Sequence, residues 1–369
     1  MLYLIGGHSR KDSIELYTQV ACAIAFCVFT FVYLYYYQGE LLAVAQFVLS
    51  GGKTHYGNMV GAILITLTLY LLQCAVLYVT KLRRRAHALT YFPSLLILTV
   101  ITDVSPNIDK HFSFGGWLIA FPLLVIGYVA LVFWLRKIQP YEPEDHNRSI
   151  FSRTVWINLM TMVVMFFLVG LFSNGNDVFH YRVRMEQLIA KGKYDKALKV
   201  GAKSLSTDPS LTMLRMHALA KKGIVGERLF FYPLSGGGKA LLPDGNDTRT
   251  MLLPDSVITA FAATDSAKTQ YRLAEYLLDR KLDDFSAVIY KVYPDSVMPR
   301  HYSEAMILYN YQFGKPYAEG RNPVLETDFK EFCEMEKTYP KNTVANYLRR
   351  TYGNTYWYYY KYGVGKFKR

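Results

Sequence analysis

Five apolar stretches without Asp, Glu, Lys or Arg punctuate the first 172 residues, at 16–37, 59–80, 86–102, 112–135 and 154–172. A helix crosses the hydrocarbon core of a bilayer with about 20 apolar residues, so the pattern predicts five membrane spans. The third is the shortest: 17 residues separate Arg85 from Asp103, and Pro93 lies among them. Trp117, Trp134, Trp156 and the tyrosines from Tyr33 to Tyr37 fall near span ends, the depth that amphipathic rings prefer. A further apolar run, 41–49, is too short to cross and stops before Gly51-Gly52, which predicts a helix lying in the interface.

Beyond residue 172 the pattern becomes amphipathic and helical, with no strand-like alternation. Residues 178–209 resemble a tetratricopeptide repeat. Gly192, Tyr194, Asp195, Ala197 and Leu198 match its helix-to-helix turn, and Asp208-Pro209 matches its exit. Helices are then predicted at 211–222, 269–280, 285–293, 302–312 and 326–339. A long loop at 234–255 carries Gly236-Gly237-Gly238, Pro243, Gly245 and Pro254. The expected fold is all-α: a polytopic bundle of about five spans over 1–172, then a tetratricopeptide-like α-solenoid over 173–369.

Composition sharpens the division. The whole chain is 51 % hydrophobic, 15 % aromatic and 19 % charged, with a formal charge of +13. Residues 1–172 hold 12 Lys and Arg against 8 Asp and Glu, and residues 173–369 hold 30 against 21. Those two populations exclude a single soluble globule, a disordered chain and a wholly embedded one. Lys and Arg are retained on the cytoplasmic side of short loops. Arg10, Lys11, Lys81, Arg83, Arg84, Arg85, Arg136, Lys137, Arg148 and Arg153 fall on one side, and only Lys53 and Lys110 on the other. The amino terminus is therefore expected in the cytoplasm and the second domain in the periplasm. No charge lies inside a span, which argues against a coupled ion path. Gln19 and Gln73 are read as bonds to neighbouring helices, and Gly57 with Gly61 as a close helix approach.

Candidate chemistry is sparse. Gly236-Gly237-Gly238-Lys239 lacks the spacing and the Ser or Thr of a phosphate-binding loop. The histidines at 8, 55, 87, 111, 146, 180, 217 and 301 never pair at ligand spacing, so no metal site is expected. Cys22, Cys27 and Cys74 lie in spans, and Cys333 is alone in the second domain, where no disulfide can form.

The exception is Glu40, just beyond the first span and before a short juxtamembrane helix and a Gly-Gly break. This order resembles the first external loop of multi-span glycosyltransferases that use lipid-linked sugars. The resemblance implies a catalytic base or metal ligand at Glu40, a lipid-linked sugar donor and a divalent metal. Glu40 stands alone where that family shows an acidic pair. The succession of parts, with the stretches 41–56, 91–106 and 223–233, resembles uncharacterised inner-membrane proteins of Bacteroidota. The first expectation is a non-enzymatic, membrane-anchored scaffold without cofactor, seated in the bilayer of the bacterial inner membrane. Its helical repeats would bind an envelope protein or peptide, and no nucleic acid. The alternative is a glycosyltransferase-like enzyme, active or degenerate, acting through Glu40.

Overall fold

The structure, a computed structural model, describes residues 3–141, 152–294, 297–313 and 322–363, with side chains from residue 14 onward. Arg10, Lys11, Arg148 and the basic tail after Gly363 lie outside the described side chains. The described residues are mainly helical and contain no strand. They divide into two compact units, Met1–Asn176 and Asp177–Arg369.

In the first unit, α1 (Tyr3–Val32) is followed by a π-helical turn over Tyr33–Tyr37. Then come α2 (Gly39–Leu49), α3 (Asn58–Thr80), α4 (Phe92–Thr102), α5 (Trp117–Ile138) and α6 (Arg153–Phe172). Four helices are long and apolar enough to cross a bilayer: α1 with its π turn, α3, α5 and α6. Their apolar faces are open, as on α5, where Ile119 is 79 % and Ile126 68 % exposed. Outward faces of this kind suit hydrocarbon as the surrounding medium. Phe26 of α1, Leu69 of α3, Leu95 and Leu98 of α4, and Met162 and Met165 of α6 form the core between them.

The third apolar stretch departs from a continuous α-helix. Residues Arg84–Tyr91 form a 3-10 helix that leads straight into the eleven-residue α4. Runs of 3-10 helix beyond three or four residues are uncommon, and Asn158 of α6 accounts for this one. Fully buried, its Oδ1 accepts from the Ala88 N–H at 2.7 Å, while its Nδ2 donates to the Arg84 and Thr154 carbonyls at 2.8 Å. At the other end, the Asn174 N–H donates to the Thr102 carbonyl at 3.4 Å and its Nδ2 to the Val104 carbonyl. The segment 84–102 thus runs parallel to α6 and is tied to it near both ends. The ties lie about 24 Å apart along α6 at 1.5 Å per residue. A 3-10 helix rises about 2.0 Å per residue, so the segment laid in line would reach about 32 Å, as long as a hydrocarbon core is thick.

Polar bonds between segments of this kind contribute about 1 kcal/mol each or less. Asn158→Leu removes two of them, with the bond to Thr154 of its own helix, and is expected to cost about 1–2 kcal/mol. Trypsin should then cut faster after Arg84 and Arg85 in nanodisc-embedded protein. Unchanged cleavage would show that the brace is idle.

Two sequence readings resolve locally. Gln73 does bond a neighbour, its Nε2 donating to Thr90 Oγ1 at 3.0 Å. Gly61, read as a helix-approach residue, instead makes room for a side chain: a Cβ there would sit 2.1 Å from the Tyr56 ring.

The second unit contains α7 (Asp177–Ala190), α8 (Tyr194–Lys199), α9 (Pro209–Lys221), α10 (Val225–Arg228), α11 (Asp255–Ala262), α12 (Asp265–Leu278) and α13 (Leu282–Val292). It continues with α14 (Arg300–Phe313), α15 (Pro323–Thr338), α16 (Val344–Tyr352) and α17 (Tyr356–Tyr362). The α7–α8 turn uses Gly192 at φ +67°, and Asp208 caps α9 by accepting from the Leu211 N–H at 2.6 Å. α8 itself stops after six residues, ahead of Gly201, whose lack of a Cβ lets the Tyr181 ring lie against its backbone. α9 is buried on every face from Ser210 to Ala220, and α14 from His301 to Leu308. Helices buried all round are interior helices, with other helices wrapped about them.

Candidate functional site

Glu40 lies in the first turn of α2, half-buried. A carboxylate there complements the positive end of the helix dipole. The residue before that helix, Gln38, is held on several sides. Gln38 is wholly buried, and its Nε2 donates to Tyr33 Oη at 3.0 Å, to Ser173 Oγ at 3.5 Å and to the Asn174 carbonyl at 3.4 Å. The Tyr33 and Ser173 hydroxyls bond each other. The π turn sets this up, because it rotates Tyr33 and Gln38 toward the end of α6, and the Gln38 N–H closes on the Tyr33 carbonyl at 3.0 Å. The sequence showed only a tyrosine cluster here. A knot built of Tyr, Gln, Ser and Asn carries no spacing signature.

Beside α2 is a cleft of about 1120 Å³. Its walls include Leu42 and Ala45 of α2, Val100 of α4, Trp117 and Ala120 of α5, and Phe172. The 103–116 loop closes one side, bringing Asp103 and His111 to the rim, and Asp103 accepts from Trp117 Nε1 at 2.8 Å. The α2 positions on this wall, 42, 45, 46 and 49, repeat at helical spacing and define one face. At 3.6 residues per turn, Glu40 points to the opposite side of α2. The structure therefore does not bring Glu40 and the cleft together.

In the second unit the fully buried ionic groups act as fasteners. Glu186 Oε2 accepts from the N–H groups of Met251 at 2.8 Å, Leu252 at 2.7 Å and Leu253 at 3.2 Å. Burial pushes the pKa of this carboxyl up, and the three N–H groups and Arg182 pull it back. Arg182 bonds Asp208 at 3.2 Å and the Arg249 carbonyl at 3.2 Å. Arg215 donates to the Pro233 carbonyl at 2.8 Å and the Gly201 carbonyl at 3.3 Å. Burial lowers its pKa to about 10. These bonds stitch the 234–255 segment to α7, and the residue before it, Pro233, to α9. Its glycine triplet enters a 3-10 turn, Gly237–Leu241, and the Gly238 N–H donates to Asp279 Oδ1 at 2.7 Å. The segment is irregular, yet Leu234, Leu241, Met251 and Leu253 are buried within it.

The aromatic end of the chain is held the same way. Tyr356 and Trp357 are buried in the core of the second unit. Glu304 Oε2 accepts from the Tyr356 N–H at 2.7 Å, and the Glu304 carbonyl accepts from Trp357 Nε1 at 2.7 Å. These rings cap the helical core. Among the described residues, no three His, Cys, Asp or Glu side chains converge in a way that could hold a metal ion.

The model of a family of unknown function, DUF6057, matches residues 117–267 and 261–363, reaching from the start of α5 to Gly363. No curated protein and no solved structure matches the chain.

Proposed function

Because the chain belongs to a family of unknown function, DUF6057, we propose a function from its build: a membrane-anchored scaffold whose second unit holds an envelope protein or peptide. The observation that carries this reading is the use of the buried ionic groups. Glu186, Arg215 and Glu304 are fully buried, and each ties a loop or the end of the chain to the helical core. Groups engaged with their own backbone leave recognition to the surface, which such bracing keeps in one shape. The excess of 30 Lys and Arg over 21 Asp and Glu in residues 173–369 favours a partner with an acidic face.

The parallel run of 84–102 beside α6 supports a fifth crossing. With the amino terminus in the cytoplasm, five crossings place the second unit in the periplasm, the first unit residing in the bacterial inner membrane. The tetratricopeptide-like turn at Gly192–Leu198 supports a hairpin repeat at the start of that unit. The enzyme reading asks for Glu40 at a cavity, and α2 turns it away from the cleft.

Two measurements test the scaffold. A periplasm-active reporter fused after Arg369 should be on; a signal only in the cytoplasm would overturn the placement. Crosslinked pull-down from membranes should recover a partner with the full chain and lose it when residues 177–369 are deleted. Recovery that survives the deletion would assign the partner to the first unit. The variant Glu40→Gln should leave recovery unchanged.

A further inference from the structure

Three elements bring positive charge to one end of the first unit. The stretch after α3 carries Lys81, Arg83, Arg84 and Arg85, α5 finishes with Arg136 and Lys137 in its last turn, and Arg153 opens α6. Packing gathers them. Val132 of α5 is buried against Leu82 and Ala86, and Arg136 lies one helical turn beyond Val132 on the same face. Asn158 of α6 holds the Arg84 carbonyl at 2.8 Å, and Arg153 stands about 8 Å from Asn158 along that helix at 1.5 Å per residue. All seven are exposed except Arg85, which is half-buried. Glu15 of α1 pairs with Arg83 Nε at 3.4 Å. By sequence, residues 1–15, 81–85 and 136–153 hold ten Lys and Arg against five Asp and Glu, so the end stays positive.

Two tryptophans fix the depth of this end. Trp134 of α5 and Trp156 of α6 are 59 % and 49 % exposed on helices long and apolar enough to cross a bilayer. Indoles in such places favour the headgroup level, and the cations of both helices lie two or three residues further out. The negative charge found at that depth is lipid phosphate. The backbone adds a second observation. Lys81 and Arg84 have φ of +51° and +53°, the left-handed region where glycine is relaxed and a residue with a Cβ is strained. Lys81 caps the end of α3 in the conformation that usually takes glycine. Orientation in a membrane asks only for a count of Lys and Arg. It does not ask for them in left-handed turns.

We propose that this end of the first unit is a docking face for an anionic phospholipid, its phosphate held between the 81–85 stretch and the Arg136–Lys137 end of α5. The face works in either orientation of the chain and is independent of any partner of the second unit.

The test titrates the full chain, purified in detergent, with phosphatidylglycerol and separately with phosphatidylethanolamine, counting bound lipid by native mass spectrometry. Phosphatidylglycerol should bind at least fivefold more tightly. Each cation at a lipid surface contributes about fivefold in affinity. The double variant Arg136→Gln with Lys137→Gln should therefore weaken phosphatidylglycerol binding at least fivefold. Lys53→Gln with Lys110→Gln, at the opposite end, should leave it unchanged. Lys81→Gly should weaken binding about fivefold while the melting temperature holds or rises, because glycine relaxes the left-handed turn. That combination separates a lipid contact from damage to the fold. Equal binding of the two lipids, equal losses from variants at the two ends, or full binding by the Arg136–Lys137 double variant would overturn the proposal. Competition by equimolar glycerol phosphate would also overturn it, since the site would then be one for a free phosphate.

Discussion

Glu304→Ala will release the last helix of the chain from the core. Glu304 and His301 are both fully buried. The His301 ring accepts from the Phe230 N–H at Nε2, 3.4 Å away, which leaves Nδ1 to donate to Glu304 Oε2 at 2.9 Å. The same carboxylate oxygen takes the Tyr356 N–H, and the other takes Arg300 Nε at 2.8 Å. Alanine strips the partner from three donors at once, two of them in the dry interior. Breaking a buried, hydrogen-bonded charge arrangement on one side costs about 3–5 kcal/mol. Much of it should appear as local opening of α17, because Tyr356 and Trp357 bury their rings only while that helix is docked. Hydrogen exchange of the 356–362 amides should speed up, and Trp357 emission should shift to the red. Glu304→Gln keeps an acceptor for the Tyr356 N–H and should lose less. Unchanged exchange in the alanine variant would show that the rings alone hold the helix.

His217 will make the second unit sensitive to acid. The ring lies in α9 with no exposure, and neither nitrogen has a hydrogen-bond partner among the described residues. Phe261 meets it edge-on at 5.2 Å and Tyr194 at 6.5 Å. Burial, with Lys221 one turn along the helix, lowers its pKa from 6.5 to about 4. The unfolded chain therefore binds the proton more tightly than the folded one. The associated stability is complete above pH 6.5, is lost as the pH falls, and is gone by about pH 4. Its full size is about 3 kcal/mol at 1.36 kcal/mol per pH unit. His217→Phe removes both unpaired nitrogens and should flatten the melting-temperature profile of the full chain between pH 6.5 and 4, at little or no loss near pH 7. A slope equal to that of the native chain would place the acid sensitivity elsewhere.

Long-range periodicity made the architecture legible. Uncharged runs marked the four long helices, and Gly192, Asp208 and Pro209 marked the turn and cap around α8 and α9. The third apolar stretch was visible as an element. Its 3-10 conformation was not, because that depends on Asn158, about 70 positions away. The limits of the loop at 234–255 followed from Gly and Pro. Its attachment did not, since Glu186 and Arg182 look like ordinary solvated charges on a helix and become fasteners only when the helices pack. For the candidate site the outcome is similar. Glu40 stood out by its place just beyond the first apolar run, ahead of a short helix and a Gly-Gly break. The cleft is made by Ala45, Val100, Ala120 and Phe172, which in sequence are indistinguishable from any span-forming residue.

The bond between Asn158 and Ala88 also sets an order of events during synthesis. Residues 84–102 leave the ribosome well before residue 158, and until then the Ala88 N–H lacks the acceptor that satisfies it in the finished fold. A buried backbone N–H left without a partner costs about 1–3 kcal/mol. The 3-10 turn at Arg84–Tyr91 therefore acquires this acceptor only once α6 arrives, so this part of the first unit is completed from a later helix back to an earlier one. Substitutions at Asn158 would accordingly show first as a loss of inserted protein in the cell, before any loss of stability in what had already matured.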